Sequence, residues 1–307
     1  PGQGAQKAGM GADFYENSEI ARYIFDQAGE ELDLDMKELC FEENDRLDLT
    51  EYTQAAMVTT CLAMTRVAES KGLKADITAG LSLGEYPAIA AAGGMNDMDA
   101  IRLVRKRGIL MQNTVPAGEG AMCAVISMAA EEIEKVIEPI ADVSVANYNC
   151  PGQIVITGKT DAVEEAAAKL KEAGARRTIM LNVSGPFHSQ MLVPAGEKLA
   201  EELEHTRFHE LRIPYVTNVT AEKVTDIRET PGLLTTQISS PVRWMQSMER
   251  MIADGVDTFV EIGPGKTLEG FLRKIDRSVK VFHISQWEDV DKVCTELADS
   301  GKMMEEA

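Results

Sequence analysis

The apolar residues of this chain fall into two rhythms, and their alternation lays out the architecture. Helical spacing dominates the first part. Over 52–70, Ala56, Thr60, Ala63, Met64 and Val67 recur on one face, with Gly72 placed to stop the helix. Residues 18–29 read as a helix, and 30–50 as an acidic, solvated connection with short helical turns. A short apolar run at 75–79 then predicts a strand, followed by an alanine-rich helix that starts near Pro87 and ends at Gly93-Gly94. Asn96 or Asp97 caps the next helix, which runs to about Met111 and carries Arg102, Arg105, Lys106 and Arg107.

From Gly120 the pattern changes. Strands are expected at 121–128, 143–147, 153–157 and 176–181, with helices at 130–140 and 161–173, the second stopped by Gly174. The turn Asn149-Cys150-Pro151-Gly152 joins the middle two strands. That is the β-α-β-β-α-β order of a ferredoxin-like unit. Beyond it come a loop at 182–190, a helix at 194–204, a strand at 213–218, helices at 230–238 and 242–254, a buried strand at 258–262, a helix to 275, a closing strand at 280–284 and a terminal helix. Strands alternating with helices on this scale predict an α/β fold, with a parallel sheet covered on both faces. The expected organisation is a discontinuous large unit, 1–119 and 190–307, with the small unit 120–189 inserted into it.

Composition narrows the function classes. At 307 residues the chain is long enough for a large core, and its 44% apolar fraction is ordinary for a globular protein. The net charge of −19 argues against nucleic acid and against an anionic membrane as partners. The five cysteines are scattered, with no C-x-x-C pair, which predicts free thiols in a reducing compartment and hence a cytoplasmic location. The opening Pro1-Gly2-Gln3-Gly4 reads as a glycine-rich loop whose backbone approaches a ligand, or, more plainly, as a flexible terminus. Such a loop normally leaves the end of an element, so an apolar strand upstream of Pro1 is expected.

The candidate chemistry centres on Gly80-Leu81-Ser82-Leu83-Gly84, a G-x-S-x-G pentapeptide between the predicted strand and helix. This is the context of a nucleophile elbow, in which a Cβ at Gly80 or Gly84 would strike the neighbouring turn. The plainer alternative is a tight turn with a capping serine. A serine nucleophile needs a base, and the chain has four histidines. His205 and His209, four apart, make a weak metal signal without the glutamate of H-E-x-x-H, and an exposed helix end is the simpler reading. His283 lies in the apolar run VFHIS and reads as a hydrogen-bonded core residue. His188, in the loop Ser184-Gly185-Pro186-Phe187-His188-Ser189 after a strand, is the favoured base. No acid stands out as a third member, which leaves either a hidden Asp or a backbone carbonyl. Gly263-Pro264-Gly265-Lys266-Thr267 is not a phosphate loop, because the required glycine position is Val260.

Several separated motifs together carry a resemblance. They are PGQG-A-Q at the start, GLSLGEY at the elbow, Arg107-Gly108-Ile109-Leu110-Met111-Gln112, NYNCPGQ, GPFHS, Pro241-Val242-Arg243-Trp244 and Glu261-Ile262-Gly263-Pro264-Gly265-Lys266. Over its whole length the chain resembles the malonyl-CoA:acyl carrier protein transacylase family of fatty acid biosynthesis. The resemblance implies a hydrolase-like core with an inserted ferredoxin-like βαββαβ subdomain, in agreement with the element order. It implies Ser82 as nucleophile and His188 as base, with the backbone N–H groups of Gln3 and Leu83 as the oxyanion hole. It further implies that Arg107 binds the malonyl carboxylate, that the main-chain carbonyl of Gln237 orients His188, and that Gln54 and Asn149 line the site. Phe187, beside the base, is expected to crowd the α-carbon and disfavour methylmalonyl groups. No resident cofactor or metal is implied: malonyl-CoA is the substrate, and phosphopantetheine belongs to the acceptor, acyl carrier protein. Arg176-Arg177, Lys266 and Arg273-Lys274 are candidate contributors to a basic patch that receives that acidic partner, against the reading of a solvated face. Leu81 departs from the pattern, because many relatives carry histidine there. The readings that compete are a serine hydrolase or thioesterase on the same elbow, a non-catalytic acyl-carrier docking module, and an acyltransferase domain excised from a larger synthase. The acidic helix read at the end of the chain, with no linker, favours a stand-alone enzyme. A monomer is the expected state.

Overall fold

The computed structural model describes residues 1–299, so the far end of the expected acidic terminal helix, 300–307, lies outside the described residues. The chain opens with four helices, α1 (Ala12–Asn17), α2 (Glu19–Leu32), α3 (Met36–Phe41) and α4 (Thr50–Ser70). Ser18 accepts from the Ala21 N–H at the start of α2, and Asp35 accepts from the Lys37 and Glu38 N–H groups at the start of α3. The connection expected at 30–50 therefore holds one short helix. Helix α4 is buried on nearly every face, as its run of Ala, Thr, Val and Met side chains requires.

Next come β1 (Thr78–Ala79), a 3₁₀ turn over Ser82–Gly84, α5 (Glu85–Ala91) and α6 (Asp97–Asn113). Helix α6 packs closely on α4 at Gly108, where a Cβ would fall 2.8 Å from the Thr50 carbonyl oxygen. That approach brings Arg107 of α6 beside Gln54 of α4.

The next stretch consists of β2 (Gly120–Ile126), α7 (Ala130–Ile137), β3 (Val143–Cys150), β4 (Gln153–Lys159), α8 (Thr160–Glu172) and β5 (Arg177–Met180). Its four strands form one antiparallel sheet in the order β3-β4-β2-β5, with Cys123 opposite Ile156 and Met180. It buries a core of its own, with Val125, Ile133, Val145, Ile156, Val163 and Leu170 among the members. Strand β3 shifts register twice, between Val145 and Asn147 and between Tyr148 and Cys150. At the first shift it is tied to the rest of the chain, because Val242 exchanges backbone hydrogen bonds with Ala146 and Tyr148.

The chain then continues through α9 (Val193–Glu204), β6 (Tyr215–Val216), β7 (Lys223–Val224), α10 (Thr230–Gln237), α11 (Trp244–Ala253), β8 (Thr258–Ile262), α12 (Thr267–Ile275), β9 (Lys280–Ile284) and α13 (Trp287–Asp299). Strand β1 pairs parallel with β6, β6 antiparallel with β7, and β8 parallel with β9.

The rest of the chain carries parallel pairings, as expected of its alternating strands and helices, but in two groups. Among the described residues its strands form a three-stranded and a two-stranded group with no ladder between them. A cleft of about 890 Å³ separates the groups, with Ile77, Ala79, Phe259, Val260, Ile262 and Pro1 on its walls. The strand expected at 213–218 shrinks to two residues. Pro214 has no N–H to give a ladder, and after Val216 the chain turns back, with the Thr217 N–H bonded to the Glu222 carbonyl. Among the described residues no helix is long and apolar enough to cross a membrane.

Candidate active site

The site forms where β1 ends. Ser82 has φ of +51°, a left-handed conformation that costs a non-glycine residue energy unless its surroundings hold it. A Cβ on Gly80 would fall inside the Gly84 carbonyl group, so the elbow closes only over a glycine. Gly84 is required for a different reason from the one expected: a Cβ there would meet the carbonyl oxygen of Pro1, at 2.9 Å, instead of the adjoining turn.

Two amide side chains from distant elements hold the strained serine. Asn218 accepts from the Ser82 N–H at 2.6 Å and donates to the Gly80 carbonyl at 2.7 Å. Gln237, the last residue of α10, donates through Nε2 to the Ser82 carbonyl at 2.9 Å.

His188 also lies in the left-handed region, with φ of +59°. Its loop is anchored by the Ser189 hydroxyl, which donates to the Pro186 carbonyl at 2.7 Å, and by Pro186 seated over Gly120. The imidazole is buried, with Nε2 2.7 Å from Ser82 Oγ and Nδ1 2.9 Å from the Gln237 carbonyl oxygen. A carbonyl oxygen only accepts, so Nδ1 carries the proton and Nε2 is left to accept from the serine hydroxyl. Burial first, and the Arg107 charge second, push the imidazole down to about 4 from its ordinary 6.5, partly offset by hydrogen bonds to the backbone at Gln237 and Ser240. The ring is therefore neutral and able to accept a proton at neutral pH.

Arg107 is fully buried. One terminal nitrogen donates to Gln54 Oε1 at 2.8 Å; the other donates to Ser82 Oγ at 3.0 Å and Gln237 Oε1 at 3.2 Å. Its Nε has no hydrogen-bond partner, and the guanidinium stands 5.6 Å over the Tyr86 ring. A fully buried cation with an idle donor, whose hydrogen-bond acceptors described above are all uncharged, is chemically suited to pair with an anion.

Ser82, His188, Arg107, Gln54 and Gln237 thus meet in one hydrogen-bonded cluster. Gln3 lies at its edge: the Gly2 Cα stands where a Cβ would be 3.1 Å from the Leu81 carbonyl oxygen, and the Gln3 side chain donates to Thr50 Oγ1 at 2.9 Å. Leu83 is the second residue of the 3₁₀ turn, at a helix start where backbone N–H groups are free of intrahelical acceptors. Phe187 is buried beside His188 and packs into the main core. Asn149 does not join the cluster by hydrogen bonds, and its Oδ1 is buried without a partner.

The remaining sequence candidates resolve as follows. His205 ends α9, whereas His209 lies beyond the helix, with its N–H on the Gly94 carbonyl and its Nε2 buried without a partner. His283, expected to be hydrogen-bonded, is half-buried with an unpartnered Nε2. The described residues hold no group of three or more His, Cys, Asp or Glu arranged for a metal. All five cysteines are free and buried. The turn after β8 is occupied by the protein itself, because the Glu261 carboxylate accepts from the Leu268 and Glu269 N–H groups at 3.2 and 2.8 Å, where a phosphate would otherwise sit.

Sequence reasoning missed Asn218 and Glu85. Glu85 reads as an ordinary first-turn acid of α5, yet it is fully buried, accepting at Oε2 from Gln237 Nε2 at 2.7 Å and the Asn218 N–H at 3.1 Å. Only its position next to the elbow hinted at a part in the site.

The acyl transferase domain family model matches residues 1–290. The malonyl CoA-acyl carrier protein transacylase of Bacillus subtilis (strain 168) is 44% identical over 296 residues, covering 95% of this chain and 93% of that protein. The protein of the same description from Staphylococcus aureus (strain MRSA252) is 40% identical over 295 residues, covering 94% and 95%. Among solved structures, the malonyl CoA-acyl carrier protein transacylase of Clostridium perfringens aligns with a TM-score of 0.94 at 42% identity, over 98% of this chain and 96% of that one. A malonyl-transacylase solved in complex with its type II PKS acyl-carrier protein aligns with a TM-score of 0.93 at 36% identity, over 96% and 97%.

Proposed function

The chain belongs to the acyl transferase domain family, and from that premise we propose that Ser82, His188 and Arg107 are the residues that carry its reaction. The activity is transfer of a malonyl group from malonyl-CoA to the phosphopantetheine thiol of acyl carrier protein, which supplies fatty acid biosynthesis. The observation that supports these residue roles is a single serine oxygen within 2.7 Å of a neutral imidazole and 3.0 Å of a buried guanidinium.

His188 Nε2 takes the hydroxyl proton as Ser82 Oγ attacks the thioester carbonyl. The Gln3 and Leu83 N–H groups receive the oxyanion, and the Gln237 carbonyl holds the imidazolium that forms. The tetrahedral intermediate collapses by breaking the carbon–sulfur bond, and the departing CoA thiolate takes the proton from His188. In the second half, His188 takes the proton of the incoming phosphopantetheine thiol. That thiolate attacks the malonyl-serine ester, and Ser82 leaves with the proton. Arg107 pairs with the free carboxylate of the malonyl group, a fork geometry that lysine would not reproduce. Once paired, its charge no longer depresses His188, so the correct substrate restores basicity to its own base.

We read Gln54 as the second holder of the guanidinium, and Phe187 and Asn149 as lining residues. We read the four-stranded unit as a ferredoxin-like subdomain inserted between 119 and 190 of a hydrolase-like core; its separate apolar core supports that division. The exposed Arg176, Arg177, Lys266 and Lys274 are the free members of the proposed carrier-receiving patch, while Arg273 is paired with Glu269 at 2.7 Å. The buried thiols suit a reducing cytoplasm.

The test is radiolabel transfer from malonyl-, methylmalonyl- and acetyl-CoA to holo acyl carrier protein, with intact mass of the enzyme after malonyl-CoA alone. One malonyl adduct, absent in Ser82→Ala, is expected, and steady release of free malonate without a thiol acceptor would assign a hydrolase instead.

A further inference from the structure

Outside the groups that touch substrate, one acid is enclosed within the site. Glu85 has no solvent exposure, and its Oε1 has no hydrogen-bond partner. Its Oε2 accepts from Gln237 Nε2 and from the Asn218 N–H. Gln237 is thereby fixed in orientation. With its amide nitrogen turned to Glu85 and the Ser82 carbonyl, its Oε1 must face Arg107, to which it is an acceptor at 3.2 Å. The same residue presents its main-chain oxygen to His188 Nδ1 at 2.9 Å. One side chain thus sits behind both the cation and the base, and one carboxylate sits behind that side chain.

We propose that Glu85 is a positioning residue for the transfer, its carboxylate acting through Gln237 to hold the Arg107 guanidinium and the His188 imidazole in register with Ser82. This rests on the roles assigned above to those three residues. A carboxylate behind an amide polarises it, so the far oxygen becomes a stronger acceptor for the guanidinium. It also supplies a buried negative charge at one remove from a buried positive charge that has no acid in contact with it. Evolution of an ordinary helix start does not require this, because a first-turn acid needs only exposure to the helix dipole.

The groups facing Glu85 are Arg107 from α6, Tyr215 from β6, Tyr86 beside it and, beyond Gln237, His188. Both tyrosines are pushed up from their ordinary value by burial and stay neutral. Burial raises Glu85 to about 7 from its ordinary 4.5, against the opposing hydrogen bonds from Gln237 and Asn218 and the Arg107 charge. Its carboxylate therefore appears as pH rises through neutrality, well separated from His188 at about 4.

The experiment is the pH dependence of malonyl transfer in wild type, Glu85→Gln and Glu85→Asp, with thermal melting and Ser82 malonylation measured on each. Glutamine can keep an acceptor oxygen facing Gln237 and the Asn218 N–H while it removes the charge and puts an amide nitrogen where the unpartnered Oε1 stands. The expected result is a roughly tenfold loss of kcat/KM at pH 8 in Glu85→Gln. The wild-type profile should fall below about pH 7 toward the level the glutamine variant holds throughout, and the variant should lack that limb. Glu85→Asp keeps the charge on a shorter arm and should recover part of the loss, with the limb displaced. Full activity in Glu85→Gln, or a loss that leaves the limb near pH 7 unmoved, would overturn the proposal. If Glu85→Gln does not fold, an undisplaced limb in Glu85→Asp overturns it equally. Absence of a malonyl adduct on Ser82 in the wild type would instead bring down the underlying assignment of roles.

Discussion

The elbow and the four-stranded unit from β2 to β5, proposed above as an inserted unit, are built on opposite principles. The inserted unit is regular: an antiparallel sheet in continuous register along β2 and β4, two helices, and a core of aliphatic side chains. Each part reports only that apolar surface is better buried. The elbow is irregular and polar. Two non-glycine residues in left-handed conformations, Ser82 and His188, are held by Asn218, Gln237, Glu85 and Arg107, all of them buried. Such a network is costly to disturb, because each further polar group left without a partner costs free energy in a low-dielectric interior. The first region should therefore lose stability gradually and keep its chemistry, whereas the second should lose chemistry abruptly while the fold persists.

The sharpest separation is Ser82→Ala. Transfer should fall by about a thousandfold or more, with no malonyl adduct by mass and a melting temperature close to wild type. At the other pole, Ile156→Ala removes a fully buried side chain from the inserted unit. It should cost about 3 kcal/mol in urea unfolding, while the folded enzyme keeps its specific activity within about twofold. A large activity loss there would erase the contrast. Arg107→Ala is expected to lower malonyl kcat/KM about a hundredfold while acetyl transfer changes little, so the ratio of the two substrates is the measurement.

The smallest effect concerns pH and stability. His188 sits at about 4 against an ordinary 6.5, and Glu85 at about 7 against 4.5. Between roughly pH 4.5 and 6.5 the unfolded chain protonates His188 when the native one does not, so that group's contribution falls on acidification. The unfolded chain has released the Glu85 proton that the native one retains, so that contribution falls as pH rises. The two slopes oppose and cancel. In Glu85→Gln only the histidine slope is left, and stability should then drop on acidification by up to about 1.4 kcal/mol per pH unit. Unfolding free energies across that range check it.

What could be read from the sequence follows the same division. The strands β2 to β5 were legible one by one, because alternation and turn residues are local signals. The elbow was legible as a motif, since Gly80 and Gly84 are steric requirements written in place. Of the parts that hold the elbow, Arg107 and the Gln237 carbonyl came only from the resemblance, and Asn218, Glu85 and the Gln237 side chain were not legible at all. Asn218 reaches the Gly80 carbonyl across 138 residues, and Gln237 reaches Glu85 across 152. Neither has a local pattern that distinguishes it from a surface amide. The strand at 213–218 was read too long for a related reason. Pro214 and the diversion of Asn218 to the elbow shorten β6, and periodicity cannot see a strand surrendered to such a contact.

The hydrogen bond from Arg107 to Ser82 Oγ has one more consequence. A single oxygen is shared between a cation and an imidazole, so an anion that drew the guanidinium toward itself would leave that oxygen to the base alone. On the roles proposed above, a diacid would do this and a monoacid would not, and the cargo's far end would be checked before its near end reacts.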